Sequence, residues 1–382
     1  MEGYLKKIKS ILQVNKYISD FFLRFIDIQN LRKNPEDVVS LKDTFEFNID
    51  LSNYHIASSP YWKQFKNIES DPIFYAEIPD ATIVSKGIVV TSKKQVILES
   101  TIFQKEYLNE LYSNHFVVFN KLLPSRKEHK VLSLQNKLDN NYFHWTMESL
   151  FRILVIYENP AFQEYNVLIK DGGSRFMFDS LQFLFQLPKE RIITKRLLEN
   201  IKADKAMVVS FPHIRDERTE MTNTYYPYLI RKFNQLAHKR LQENIKNIKT
   251  NMPKNILVSR KNAIERRIVN EDDFLQKLKK FDFNAVYLEE LTFVEQVSLF
   301  YGAENVIVLH GAGITNIIYG KNPLLIELFP KERKIRDAFY FAQITSALQF
   351  KHEVIFYNSY NTEQDVLIDD EMFNKIISKL TD

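Results

Sequence analysis

Cysteine is absent from the 382 residues, so neither a disulfide nor a thiolate metal site can form, and a reducing compartment is compatible with the composition without being required by it. Glycine is scarce, at eight residues; with abundant Lys, Asn, Ile and Phe, this reads as base composition rather than function. No run of about 18 apolar residues occurs, which excludes a membrane-spanning helix at the level of sequence. Met1 to Lys9 is polar and lacks an apolar core with a cleavage site, so no secretory leader is expected. A net charge of +4 is too slight to imply nucleic acid. No Asp-x-Asp motif stands at a predicted strand end: Asp369-Asp370-Glu371 opens a tail helix and Asp272-Asp273 sits in a helix start. Metal-independent chemistry is therefore expected, with no cofactor. No Gly-x-Gly-x-x-Gly follows the first strand with an acidic residue about 20 positions on, which disfavours a nicotinamide-linked oxidoreductase.

What is present fits two domains of ordinary size. Met1 to Lys33 reads as a basic amphipathic helix with seven basic against three acidic side chains, a net charge equal to that of the whole chain. Such a helix can lie on an anionic membrane, or pack on the next domain or on a second copy of itself. Residues 1–71 form this N-terminal extension, with a break at Ser58-Ser59-Pro60. Short β-runs follow at 73–75, 81–84, 87–90 and 116–119, read as an antiparallel section. The first α/β unit starts at Val131-Leu132-Ser133-Leu134 and enters a helix from about Tyr142 to Tyr157. Phe143, Met147, Leu150 and Leu154 make one apolar stripe on it, and His144, Glu148 and Arg152 a second. A long basic helix over 224–249 ends at Asn251-Met252-Pro253, the expected boundary between domains 72–250 and 251–360.

The rest of the chain is organised around residues 255–330. Val306-Ile307-Val308-Leu309 is a short apolar, β-branched run that reads as a buried parallel strand. It leads directly into His310-Gly311-Ala312-Gly313-Ile314-Thr315-Asn316 and a short helix closed by Gly320. Strand, glycine turn and helix start form a cradle of backbone N–H groups that suits a phosphate. Ile256-Leu257-Val258 is a second such strand, ending in Ser259-Arg260-Lys261, with Arg266 and Arg267 close behind. Arginine's fork suits a diphosphate. Ligands of doubly wound sheets bind where strands end, so Arg260 and the His310 loop are expected to share a crevice. Thr292 and Glu295 have capping-box spacing and read as structural.

Ser259-Arg260, Arg266-Arg267, Asn270-Glu271, the stretch Leu291 to Gln296, the His310 to Asn316 motif and Asn141-Tyr142-Phe143-His144-Trp145 together resemble glycosyltransferase family 61, whose bacterial members are described as capsular polysaccharide biosynthesis proteins. The resemblance spans roughly Ile73 to Tyr357. Glu148 stands where an aspartate is expected, and Ile314 where leucine is commoner. The resemblance implies an α/β protein of GT-B type, with two Rossmann-like doubly wound domains facing a cleft. The tail, 361–382, would then be a helix that packs back on the first domain. It implies an inverting transferase that moves a sugar from a nucleotide donor, UDP favoured, to a saccharide or lipid-linked saccharide acceptor. The expected location is cytoplasmic, at or near the inner face of the membrane, with contact through residues 1–33 and homo-oligomerisation both open. Donor binding falls to Ser259, Arg260, Arg266, Arg267, His310, Gly311, Ala312, Gly313, Thr315, Asn316 and Glu327. His310 could contact phosphate or ribose or only cap its loop, and Glu327 could bind a donor hydroxyl or brace. His144 is the candidate general base with Glu148 orienting it, and the reverse assignment stays open. An inactive nucleotide- or glycan-binding module is the alternative function.

Overall fold

In the computed structural model, the described residues are 73–93, 95–100, 123–196, 198–211, 213–214, 224–244 and 252–381, with short strands at 24–26, 38–40, 46–47 and 68–69. The chain divides into two units, the first made of 1–44, 71–178 and 187–212, the second of 45–70, 179–186 and 213–382.

The first unit holds a nine-stranded mixed sheet. Besides the short strands Arg24–Ile26 and Val38–Ser40, its strands are β1 (Phe74–Ile83), β2 (Val89–Val90), β3 (Gln95–Ile97), β4 (Ser125–Ser133), β5 (Asn166–Lys170), β6 (Ile192–Lys195) and β7 (Asn200–Val209). Antiparallel pairing links β1 to β2, β2 to β3 and β1 to β7, while β7, β4, β5 and β6 run parallel in that order. The expected antiparallel section is thus present over 74–97; two of its predicted runs fuse into β1, and the run at 116–119 lies outside the described residues. Arg24–Ile26, expected to be helical, pairs as a strand with Gln95–Ile97. The remainder of the 1–33 reading lies outside the described residues. One core of this unit is built from Ile83, Ile97, Val131, Leu168, Ile201 and Val208.

After β4 the chain enters α1, which starts as Tyr142–His144, passes through a π-helical stretch at Trp145–Leu150 and regains α geometry over Phe151–Ile156. The predicted stripe Phe143, Met147, Leu150 and Leu154 is buried. Helix α2 (Arg175–Phe185) begins in the first unit and ends in the second.

The second unit is a five-stranded parallel sheet. Its elements in chain order are α3 (Pro227–Glu243), β8 (Asn255–Val258), α4 (Glu271–Leu278), β9 (Phe283–Val286), α5 (Phe293–Gly302), β10 (Asn305–Leu309), a 3₁₀ helix (Ala312–Tyr319), β11 (Leu324–Pro330), α6 (Phe339–Leu348), β12 (His352–Tyr357) and α7 (Asp370–Thr381). The spatial order is β9-β8-β10-β11-β12. It reverses between β8 and β10, the switch point at which parallel sheets of this Rossmann-like kind leave a crevice beyond their strand ends. Strand side chains alternate in direction. Leu257, Ile307, Leu309, Ile326, Leu328 and Ile355 pack with Phe274 and Leu278 of α4 and Ile376 of α7; Val306, Val308, Leu325, Glu327 and Phe329 belong to the opposite face.

Two boundaries differ from the sequence reading. The boundary read at 251–253 does not separate the two units, because α3, which ends at Glu243, already belongs to the second unit. Asn234 of α3 donates to the Ile318 and Gly320 carbonyls (2.7 and 2.9 Å), His238 donates to Tyr319 O (2.8 Å), and the Phe233 ring lies 6.1 Å from that of Tyr319. These side chains satisfy carbonyls at the C-terminal end of the 3₁₀ helix that no helical N–H can reach. The tail was expected to return to the first domain. Instead, the apolar side of α7 joins the core of its own unit, with Ile376 fully buried and Phe373 edge-on to Phe274 at 6.2 Å.

Candidate active site

At the switch point, β8 ends in Ser259-Arg260 and β10 in His310-Gly311. The Ser259 hydroxyl donates to Glu271 Oε1 at 2.6 Å and accepts from the Lys261 amide at 3.1 Å. Ser259 and Glu271, in the first turn of α4, therefore brace the turn. Burial pushes the Glu271 carboxyl up, partly offset by the Ser259 hydrogen bond. The turn aims Arg260: its Nε donates to Arg266 O at 3.1 Å and its Nη2 to Glu265 O at 3.2 Å. Nη1 remains beside Gly311, where a Cβ would sit 2.6 Å from Nη1 and 3.3 Å from Cζ. The backbone at Gly311 is extended, with φ 166°, so glycine is required by this close approach rather than by conformation. Gly313 is also crowded, its notional Cβ lying 3.1 Å from Leu288 Cδ1.

Arg266 closes the same corner. Its Nη1 donates to His310 O at 2.9 Å, and it is ion-paired to Glu265. It adopts φ 58°, a left-handed conformation that a side chain with a Cβ takes at a cost. Burial first, and the Arg266 charge second, lower the Arg260 pKa. Two adjacent guanidiniums, one with a free Nη1 among the described residues, make a place where an anion would be stabilised. Ala312 and Gly313 contribute the unfilled N–H groups of a helix start. The short helix closed by Gly320 is 3₁₀, and it takes in Ala312 and Gly313.

The other predicted donor residues separate into bracing and buried roles. Arg267 grips Asp365 with Nε and Nη2 (3.1 and 2.7 Å to Oδ2), and its amide donates to Oδ1 at 2.7 Å. Asn316 Nδ2 donates to Gly313 O at 3.2 Å. Thr315 is fully buried and its hydroxyl has no partner among the described residues. Thr292 and Glu295 form the capping box that their spacing indicates, starting α5.

Glu327 lies within β11, fully buried between two imidazoles. Its Oε1 is 2.5 Å from His310 Nδ1 and its Oε2 is 3.0 Å from His352 Nε2. Burial raises the carboxyl's pKa, but the hydrogen bonds and charges of His310 and then His352 outweigh it and hold it below the ordinary 4.5. Both oxygens thereby accept from protein, and the carboxylate is fully buried. His352 escaped the sequence reading because its partner is 25 residues away on a neighbouring strand. Replacing Glu327 with leucine strands two buried N–H donors and should cost about 3–5 kcal/mol in urea unfolding. Because the folded pKa is depressed, this contribution is complete above the unfolded value and lost as pH falls through the lower folded one. The wild-type protein should therefore lose stability more steeply below pH 4.5 than Glu327→Leu does.

In the first unit, Asn141 caps α1 by accepting from the Phe143 and His144 amides (2.9 and 3.5 Å). His144 Nδ1 lies 2.8 Å from Glu148 Oε1, with side-chain exposures of 18% and 0%; one nitrogen is held and the ring stays reachable. The pairing spans the π stretch, an irregularity frequent at functional sites. Arg152, the third member of the stripe, is buried, donates from Nε to Val209 O at 3.2 Å and lies 4.7 Å over the Phe211 ring. Burial pulls its guanidinium down to about 10, against the Glu148 carboxylate that favours its charge. Ser149 Oγ donates to Leu134 O at 3.2 Å, fixing α1 to the chain just past β4.

Among the described residues no group of three or more His, Asp or Glu side chains is placed to hold a metal ion, and no helix is long and apolar enough to cross a membrane. A parallel α/β sheet with an arginine-lined glycine turn at its switch point belongs to the Rossmann-like class, in which the crevice beyond the strand ends is the ligand position. Within that class, residues 142–326 match the family model Glycosyltransferase 61. That match runs from the first residue of α1 to Ile326 in β11. No curated protein matches the chain.

Proposed function

We propose that the protein is an inverting, GT-B-type transferase that moves a sugar from a nucleoside diphosphate donor, UDP favoured, to a saccharide or lipid-linked saccharide acceptor in bacterial capsule or other surface polysaccharide synthesis. The observation that carries this reading is Arg260 Nη1 lying free against Gly311 at the switch point. In the reaction, the acceptor oxygen bonds to the anomeric carbon while the bond from that carbon to the β-phosphate oxygen breaks. The electron pair leaves with the nucleoside diphosphate, and the acceptor proton passes to His144. Arg260, Arg266 and the Ala312 and Gly313 N–H groups stabilise the departing charge without a divalent metal, and Glu148 holds the His144 ring. Arg267, Ser259 and Asn316 keep the loops in place. The proposed setting is the cytoplasm near the inner membrane face, with residues 1–33 as the contact.

The test is a panel of nucleotide sugars, followed by melting temperature and by nucleoside diphosphate release. One donor should stabilise the protein, by about 2.7 kcal/mol at ~100 times its Kd, and should release its nucleoside diphosphate faster with acceptor present. Failure of every donor to bind would overturn the reading.

A further inference from the structure

Glu327 and His352 lie beyond Ile326, where the family match ends, yet they are tied to the first residue of the glycine turn. Each oxygen of the Glu327 carboxylate meets one imidazole. An ionised carboxylate only accepts hydrogen bonds, so the proton facing it from His310 must be on Nδ1. The ring nitrogen left over is Nε2, which has no protein partner among the described residues, while the side chain keeps 6% exposure. The remaining freedom of this residue is removed from three sides. Its amide donates to Leu328 O at 2.9 Å and its carbonyl accepts from Arg266 Nη1 at 2.9 Å. The ring stands edge-on to Phe329 and Phe341, at centroid distances of 4.8 and 5.4 Å.

A carboxylate bonded to His310 alone would be buried with one donor. His352, at 0% side-chain exposure, supplies the second through Nε2, and its Nδ1 lies 3.1 Å from Thr345 Oγ1. That hydroxyl is also 3.2 Å from the Phe341 and Ala342 carbonyls. It can therefore donate to Nδ1, or accept from Nδ1–H and donate onward to the helix, so that both ring nitrogens of His352 have a partner. His352 is the adaptable end of the chain and His310 the fixed end.

We propose that His352 is a positioning residue for donor recognition: through Glu327 it holds the His310 imidazole in the Nδ1–H tautomer and in the orientation that presents Nε2, which can then only accept, to a hydroxyl of the nucleotide donor. Second partners of this kind set which ring nitrogen is available in many functional histidines. The inference rests on the diphosphate reading of the site given above.

Histidine-selective ¹⁵N NMR on the full chain tests it, together with calorimetry using uridine diphosphate as probe. In the wild type, the His310 signals, assigned through His310→Gln, should show a protonated Nδ1. In His352→Leu, which removes the donor, these signals should shift toward mixed tautomers, and probe affinity should fall about fivefold, the loss of one hydrogen bond from a probe hydroxyl to Nε2. Turnover at saturating donor should change much less. His352→Gln, whose amide can still donate to Glu327, should restore both readouts toward wild type. Should His352→Leu fail to fold, Thr345→Val removes only the hydroxyl facing Nδ1 and should move the His310 signals in the same direction. Unaltered His310 signals and probe affinity in either folded variant would overturn the proposal, leaving His352 a packing residue. That result is separable from failure of the diphosphate reading, which Arg260→Met would show by leaving probe affinity intact.

Discussion

Arg260→Met should lower turnover by about 10²–10³-fold, the cost of removing one preorganised donor from a developing negative charge. Methionine keeps much of the aliphatic stem that arginine packs, so the melting temperature should change little. The argument is local. Arg260 Nε and Nη2 hold the Arg266 and Glu265 carbonyls, and the remaining Nη1 is the group placed at Gly311. Lysine is not an adequate replacement, since a single ammonium cannot span both carbonyls and still present a donor at Gly311. Steady-state kinetics of Arg260→Met and Arg260→Lys, with melting curves alongside, check this. Wild-type turnover in either would remove Arg260 from the charge-stabilising group.

His144→Ala should reduce turnover by about 10²–10⁴-fold, the range for a positioned general base, and leave the Kd for the donor unchanged. His144 is selected by geometry: a capped helix start positions it, Glu148 occupies Nδ1 at 2.8 Å, and the ring remains partly exposed. Glu148→Gln separates the two assignments. If His144 is the base, glutamine can still hold the ring by its carbonyl, and the loss should be smaller than for His144→Ala. If Glu148 is the base, the order reverses. Equal and near-normal turnover in both variants would take the pair out of the mechanism.

Much of the second unit was legible because its signals are local. Val306 to Leu309 and Ile256 to Val258 are apolar runs too short for helices and rich in β-branched residues, and both are strands. Thr292 and Glu295 declare a helix start within four residues. The glycines at 311 and 313 mark the turn, and Arg260 follows a strand directly, so topology alone brings them together.

What escaped depends on distance along the chain. Arg267 looked equivalent to Arg266, yet it is matched to Asp365, 98 residues on. Glu327 read as a strand-end carboxylate, and only pairing of β11 with β12 brings His352 to it. The break read at Asn251 to Pro253 is local turn chemistry in the sequence, but the side chains of α3 that decide its unit, Phe233, Asn234 and His238, find their partners at Ile318 to Gly320. No local periodicity signals the π stretch in α1, because the apolar stripe and the His144–Glu148 pair survive it.

The most direct measurement is calorimetric titration of nucleoside diphosphates into the wild type and Gly311→Ala, with inorganic pyrophosphate as competitor. A methyl group at 311 would occupy the space 2.6 Å from Arg260 Nη1 and displace the flexible end of that side chain, so folding should persist while the cradle is lost. The account predicts that one nucleoside diphosphate binds the wild type, that pyrophosphate displaces it, and that the variant binds at least about tenfold more weakly at an unchanged melting temperature. Equal affinity in the two proteins would contradict it.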